Sequence, residues 1–272
     1  MFPKDFVAGL EFRFELGSTQ VEIAKYIAAC VHETQTDKSG AQYISHPARV
    51  VANLVTIPNF EAFEPDWVEA TKVAAWLHDV VEDSGDNGFP KVTLENLEKW
   101  GIGQGLTLIE LLTRPEDKSA EAQNHYYEAI AGHRAARYVK WADIADNLNI
   151  KRLEKLDPEM RAKAERKYAH ALEILHMDER QEAWLRGRVQ IDPETTIQSC
   201  PICKGWVDTS NRYPDYVCDR CKSRVVDENH APVRFSVSES HVVLPRPNGW
   251  IDGIEVYAAE AHFGGVVVRP VK

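Results

Sequence analysis

Between Thr19 and about Trp184, apolar residues recur every three or four positions, the spacing that lines one side of an α-helix. Thr19 and Glu22 make a capping-box pair ahead of Ile23, Ile27, Cys30 and Val31, which predicts a helix starting there. A second helix is predicted from His46-Pro47 through Val50, Val51 and Leu54. The most regular stripe, Trp67, Ala70, Ala74, Leu77 and Val81, predicts a third helix with one buried face. Gly85, Gly88 and Pro90 make 84–90 a loop. Further helices are predicted over 94–100, 104–112, 121–131 and 135–148. Asp157 followed by Pro158, an N-cap with proline at the first helical position, opens a last one that runs to about Leu185. Ahead of all of these, Leu10, Phe12, Phe14 and Leu16 alternate, so 6–16 reads as a strand.

The texture changes at Asp192-Pro193. Beyond it, 233–237, 241–244, 254–258 and 266–268 are short runs rich in β-branched residues, punctuated by turns at 245–249 and at Gly264-Gly265. The fold class is therefore mainly α: a helical domain over 1–190, then a small β-rich, cysteine-bearing module over 191–272.

Charge adds an exclusion. The chain carries 32 Lys plus Arg against 42 Asp plus Glu, a net −10. Residues 196–272 hold nine of each sign, so the acidic excess lies in the helical part. A long nucleic-acid groove needs a basic surface to replace phosphate counterions, and neither part offers one. A compact anionic ligand held by a metal and a few cations fits the balance better. No apolar run is long enough to span a membrane. Charged residues in the first seventeen positions break the pattern of a secretory signal, which makes the cytoplasm the expected location.

Two groups of residues carry chemistry. His78-Asp79 lies near the end of the third predicted helix, where an unpaired charge beside the core is costly. Glu82 and Asp83 follow these two by one helical turn, and Lys140, Asp143 and Asn147 share another helix. With His46 at a helix start, two His and two Asp form a mixed nitrogen and oxygen set that suits Mn²⁺, Fe²⁺, Zn²⁺ or Co²⁺ rather than Ca²⁺. Spacing alone leaves two readings: a metal site, or carboxylates on solvated helix faces. The second group, Cys200/Cys203 and Cys218/Cys221, places two Cys-x-x-Cys pairs fourteen residues apart. That spacing favours tetrahedral Zn²⁺ over disulfides and looks like a zinc ribbon, its four thiolates closing a structural site. Cys30 stands apart on an apolar helix face. The ribbon's cations, among them Lys204, Arg212, Arg220, Lys222, Arg224 and Arg234, are nearly balanced by Asp208, Asp215, Asp219, Asp227 and Glu228. Stabilisation or partner binding is the expected role, with nucleic acid the lesser option.

Three stretches together carry a resemblance. His32 to Pro47 (HETQTDKSGAQYISHP), 74–83 (AAWLHDVVED) and 139–147 (VKWADIADN) are similar, in order, to the motifs of the RelA/SpoT-type hydrolase and small alarmone hydrolase branch of the HD superfamily. They span about residues 20–185. The resemblance implies an all-helical HD bundle in which His46, His78, Asp79 and Asp143 bind one metal, typically Mn²⁺. Glu82 and Asp83 would handle the attacking water and the leaving oxygen, and Lys38, Asn147, Lys140 and the Asp37 position would meet the substrate. His32 would support the pocket. The implied reaction removes pyrophosphate from the 3′ position of a guanosine alarmone such as ppGpp, while some relatives are phosphatases of other nucleotides.

The chain departs from the pattern at Asp37, where the branch usually places an Arg against the nucleobase, and at Gln42, where it usually has Pro. The loop after Asp83 is also longer than usual. An anion at position 37 is expected to weaken the grip on the familiar base, which keeps two alternatives open. One is an HD phosphatase acting on NADPH or a nucleoside triphosphate. The other is an adaptor working through its ribbon, with an inert HD domain.

Overall fold

The computed structural model describes residues 1–272 apart from 16, 39, 86–87, 196, 208–211, 262–264 and 272, and apart from the side chains of 61, 206 and 244. Leu16, Asp208 and Gly264, each used in the sequence reading, lie outside the described residues. The chain divides into two compact units, Met1–Thr196 and Ile197–Lys272. Among the described residues, no helix is long and apolar enough to cross a membrane.

Unit 1 is helical. Its first helices are α1 (Lys4–Glu15), α2 (Gln20–Val31), α3 (Ser45–Leu54), α4 (Pro65–Leu77), α5 (Val80–Asp83) and α6 (Leu94–Lys99). They are followed by α7 (Leu106–Leu112), α8 (Ala120–Gly132), α9 (Arg134–Asn147), α10 (Ile150–Leu153), α11 (Pro158–Leu175) and α12 (Glu179–Arg188). The Thr19/Glu22 capping box forms at the start of α2, a device worth about 1 kcal/mol. α3 packs along α9, and α2, α3 and α9 all pack on α4. These four helices make the centre of the unit. α9 is covered almost all round, with every residue from Tyr138 to Asp146 buried.

Three departures from the sequence reading have physical causes. Residues 6–15 form a helix rather than a strand, because Phe6 and Leu10, four apart, are the buried pair, while Phe12 and Phe14 face out. Phe6 packs edge-on against Phe89 and Trp100, with centroids 5.3 and 4.8 Å away. The stripe that ran unbroken to Val81 is cut at His78-Asp79, where the His78 ring takes the Ala75 carbonyl that a continued helix reserves for a backbone N–H. The last predicted helix is two, parted at His176 (φ +43°), and α12 restarts on an Asp178/Gln181 capping box.

Unit 2 is built on short antiparallel pairs: β1 (Gln198–Ser199) with β2 (Trp206–Val207), and β3 (Ser236–Val237) with β4 (Val243–Leu244). A three-stranded sheet, β5 (Asn248–Ile251), β6 (Ile254–Glu260) and β7 (Val266–Pro270), completes it, with a one-turn helix α13 (Asp219–Lys222). β5 begins inside the predicted turn 245–249. A Cβ on Gly249 would lie 2.4 Å from Val225 Cγ1, so the glycine serves close strand approach rather than a bend. The unit's core joins Cys200 and Cys221 to Val217, Val225, Ile251, Val256 and Val268.

Candidate metal centre and active site

α3 and α9 bury a polar face against each other. His46, Arg49 and Asn53 on α3 meet Ala142, Asp143 and Asp146 on α9. His46 Nδ1 donates to Asp146 Oδ2 at 2.7 Å, and this leaves Nε2 as the nitrogen turned to the site. That Nε2 lies 3.3 Å from Asp143 Oδ1 and 3.5 Å from Asp79 Oδ2. His78 is fixed in the same sense, since Nδ1 donates to the Ala75 carbonyl at 2.9 Å. Its Nε2 is buried without a hydrogen bond, 3.1 Å from Asp79 Oδ2 and 3.9 Å from Asp143 Oδ1. Among the described residues, His46, His78 and Asp79 bring a ligand atom each within 4.8 Å of one another.

The electrostatics call for a cation. Burial alone would push the Asp143 carboxyl up, but Lys140 and the two imidazoles more than reverse this and hold it well below the usual range. Asp79 is less buried, and against the upward push of burial it is held well below its ordinary value by His78 and His46. Burial pulls His46 down, and Asp143, Asp146 and Asp79 together bring it well above its ordinary value. The carboxylates thus keep a proton on the imidazole that a divalent ion would displace. The orphaned His78 Nε2 and the nitrogen and oxygen donor set fit a transition metal.

Around this core, each predicted residue has a definite place. Asp143 Oδ2 is held by Lys140 Nζ at 2.8 Å and Oδ1 by Asn147 Nδ2 at 2.5 Å, so Lys140 and Asn147 are engaged with Asp143. Tyr43 donates to Asp79 Oδ2 at 2.6 Å. Asp83 Oδ2 accepts from Gln35 Nε2 at 2.8 Å, and Gln35 Oε1 accepts from His32 Nδ1 at 2.7 Å. His32 thus reaches Asp83 through Gln35. Burial raises the Asp83 carboxyl, so it keeps its proton to higher pH than a surface Asp. Lys38 is exposed.

Asp37, expected at the substrate, is engaged with another part of the chain. Its side chain is 5% exposed, and Oδ2 pairs with Arg152 Nη2 at 2.9 Å. A guanidinium substituted there would meet Arg152, so an Arg at this position is not expected to improve the grip on a base.

Glu82 and Asp83 line a cavity of about 1320 Å³ whose other walls include Lys91, Arg114, Lys118, Lys163, Lys167 and His170. Sequence reasoning missed these cations, which converge only in the fold. It also missed Asp146 and Arg49, although each sits three residues after a proposed ligand on a buried helix, which was a legible signal. Gln35 and Arg152 offered none.

In unit 2 the four thiols of Cys200, Cys203, Cys218 and Cys221 gather within 4.8 Å. Cys203 and Cys218 Sγ are 3.7 Å apart, and none of the four is disulfide-bonded. A hydrogen bond from Cys218 lowers the Cys200 thiol to about 4, whereas its bond to Cys200 and burial push Cys218 far up. One thiolate forms readily and the next resists, a conflict that a bound cation resolves. Several of the unit's cations are internally paired, Arg224 with Asp252, Arg269 with Asp215 and Arg246 with Asp227.

No family model matches the chain, and no curated protein matches it. Among solved structures, it is similar to a protein described as a metazoan ortholog of SpoT that hydrolyzes ppGpp and plays a role in starvation responses. Identity is 23%, the match covers 63% of this chain and 94% of that one, and the TM-score is 0.50. This likeness shows a shared fold over 63% of the chain.

Proposed function

We propose that the helical unit is a metal-dependent HD phosphohydrolase that removes pyrophosphate from the 3′ position of a guanosine alarmone of the ppGpp type. The observation that carries this reading is the convergence of His46, His78, Asp79 and Asp143 on one point. Both imidazoles have Nδ1 committed elsewhere and Nε2 turned inward. These four residues would hold one divalent ion, Mn²⁺ by resemblance, which when bound polarises a phosphoryl oxygen and lowers the pKa of water.

The chain's own residues do the rest. Asp146, Arg49 and Lys140 fix the orientation of His46 and the charge of Asp143 before substrate arrives. Asp83, oriented by Gln35 and inclined to carry a proton, exchanges that proton with the attacking water and the leaving oxygen, with Glu82 beside it. The cavity's cations, Arg114, Lys118, Lys163 and Lys167, receive the phosphates and confine the nucleotide next to these carboxylates.

A second reading, an HD phosphatase of NADPH or a nucleoside triphosphate, is favoured by one observation. The position from which relatives present an Arg to the base is here turned inward to Arg152. The test is Mn²⁺-dependent product release from ppGpp, ppApp, NADPH and nucleoside triphosphates, separating pyrophosphate from orthophosphate. Pyrophosphate from ppGpp supports the first reading, and release from another substrate alone supports the second. Silence with a metal-free helical unit returns the protein to the adaptor reading, in which the ribbon, closed around Zn²⁺, is the working part.

A further inference from the structure

Asp37 belongs to a tight turn whose geometry points inward. Its backbone N–H bonds the Ala41 carbonyl at 2.8 Å, and Oδ1 accepts from the Ala41 N–H at 3.0 Å. The second carboxylate oxygen leaves the turn altogether. It reaches Arg152 Nη2 at 2.9 Å, 115 residues away in sequence. The same guanidinium donates through Nη1 to the Asp146 carbonyl at 3.0 Å and to Asp146 Oδ2. Asp146 also accepts from His46 Nδ1 and, through Oδ1, from Arg49 Nε at 2.6 Å. Two carboxylates and two guanidiniums therefore balance around one imidazole, and all but Arg152 are 5% exposed or less.

We infer that Asp37 is a positioning residue for the metal ligand His46, acting through Arg152 and Asp146. The inference rests on reading the helical unit as metal-dependent. Arg152 is shared between Asp37 and Asp146, and so is its charge. Remove the Asp37 carboxylate and the guanidinium is left to Asp146 alone. It then competes more strongly for the oxygen that His46 Nδ1 uses, and the imidazole loses its anchor. The turn thus reports on the metal ligand without touching the metal. Position 37 serves this function in place of contact with a nucleobase.

The experiment is a Mn²⁺ titration of the full chain followed by electron paramagnetic resonance, an ion the thiolate cluster does not favour. It compares the unsubstituted protein with Asp37→Asn, Arg152→Gln and the double variant. Asp37→Asn keeps an oxygen for the Ala41 N–H and removes only the charge. Loss of an outer partner of a metal-bound histidine typically weakens metal binding 10–100-fold, and Asp37→Asn is expected at the low end, about tenfold. Arg152→Gln should lose at least as much, and the double variant no more than Arg152→Gln alone. At saturating Mn²⁺ the nucleotide KM should stay within about twofold. In the metal-free protein, the His46 Nδ1–H resonance should move in Asp37→Asn and return in Asp37→Glu.

Unchanged Mn²⁺ affinity in Asp37→Asn, or losses that multiply in the double variant, overturns the inference, as does a KM effect that persists at saturating metal. Should Asp37→Asn fold poorly, Asp37→Ser carries the same comparison. If the unsubstituted helical unit takes up no Mn²⁺, the metal-dependent reading itself falls, an outcome distinct from the others.

Discussion

The two units gather metal-binding groups in opposite ways. In unit 1 the proposed ligands are two imidazoles and two carboxylates, set among helices. The charges are balanced in place by Lys140, Arg49 and Arg152. In unit 2 two of the four proposed ligands are part of the core: Cys200 and Cys221 are fully buried and pack with a handful of valines. A site whose scaffold stands by itself can tune its ion through neighbours, and so can work on substrates. A site that is itself the scaffold can only hold the ion, and the loss of that ion is a folding event.

The largest expected effect follows from that difference. Cys221→Ser, or a chelator strong enough to strip the thiol cluster, should unfold unit 2. Structural zinc contributes on the order of 10 kcal/mol to small thiolate domains, more than a core of this size offsets. Amide exchange should show protection lost throughout 197–272 and kept in α3 and α9. Retained protection of β5–β7 without metal would break the contrast. The next effect is chemical. Asp79→Ala should abolish ion binding in unit 1 while the thiol cluster keeps its metal, so metal content per chain falls from two to one. Hydrolysis should fall by about a thousandfold, the scale of several kcal/mol of lost charge stabilisation. The melting of unit 1 should change little, because Asp79 lies at the end of α4 rather than within the apolar core. Full activity in this variant would remove the proposed mechanism.

How much of this was legible follows the same division. The thiol site could be read from spacing alone, since all four ligands come from two tight local turns. The helical core was readable as three separate motifs, because His46 and Asp143 sit on helices and His78-Asp79 closes the most regular stripe. What joins them was not. Arg152 reaches Asp37 and Asp146 only through the packing of α10 on the rest, and a turn sequence does not say which way its Asp faces. The resemblance, not the turn, put the Asp37 position at the substrate. Periodicity also overran two helix ends. At His78 a side chain competes for a carbonyl, and at His176 the backbone turns without a glycine, although the Asp178-x-x-Gln181 box just beyond was a readable start.

The smallest predicted effect concerns the cavity that separates a working site from a holding one. Lys167 is half-buried beside Arg114 and Lys140, and burial, followed by those two cations, lowers its pKa to about 7. Below that pH the ammonium is charged and can bond a phosphate oxygen; above it the contact weakens. KM for a phosphorylated nucleotide should therefore rise as pH increases through 7, while kcat moves little. A charge-assisted hydrogen bond contributes about 1.5–3 kcal/mol, so Lys167→Met should raise KM roughly tenfold at pH 6. At pH 8.5 the variant should approach the unsubstituted protein. Ionisation of the substrate phosphates falls in the same window, but it is common to both proteins and cancels in their ratio. Steady-state kinetics from pH 6 to 8.5 at saturating metal reads that ratio directly. A KM penalty equal at every pH would mean that Lys167 keeps its charge throughout. No penalty at any pH would place phosphate recognition on the cavity's other cations, and the comparison between the two units would then rest on the metal ligands alone.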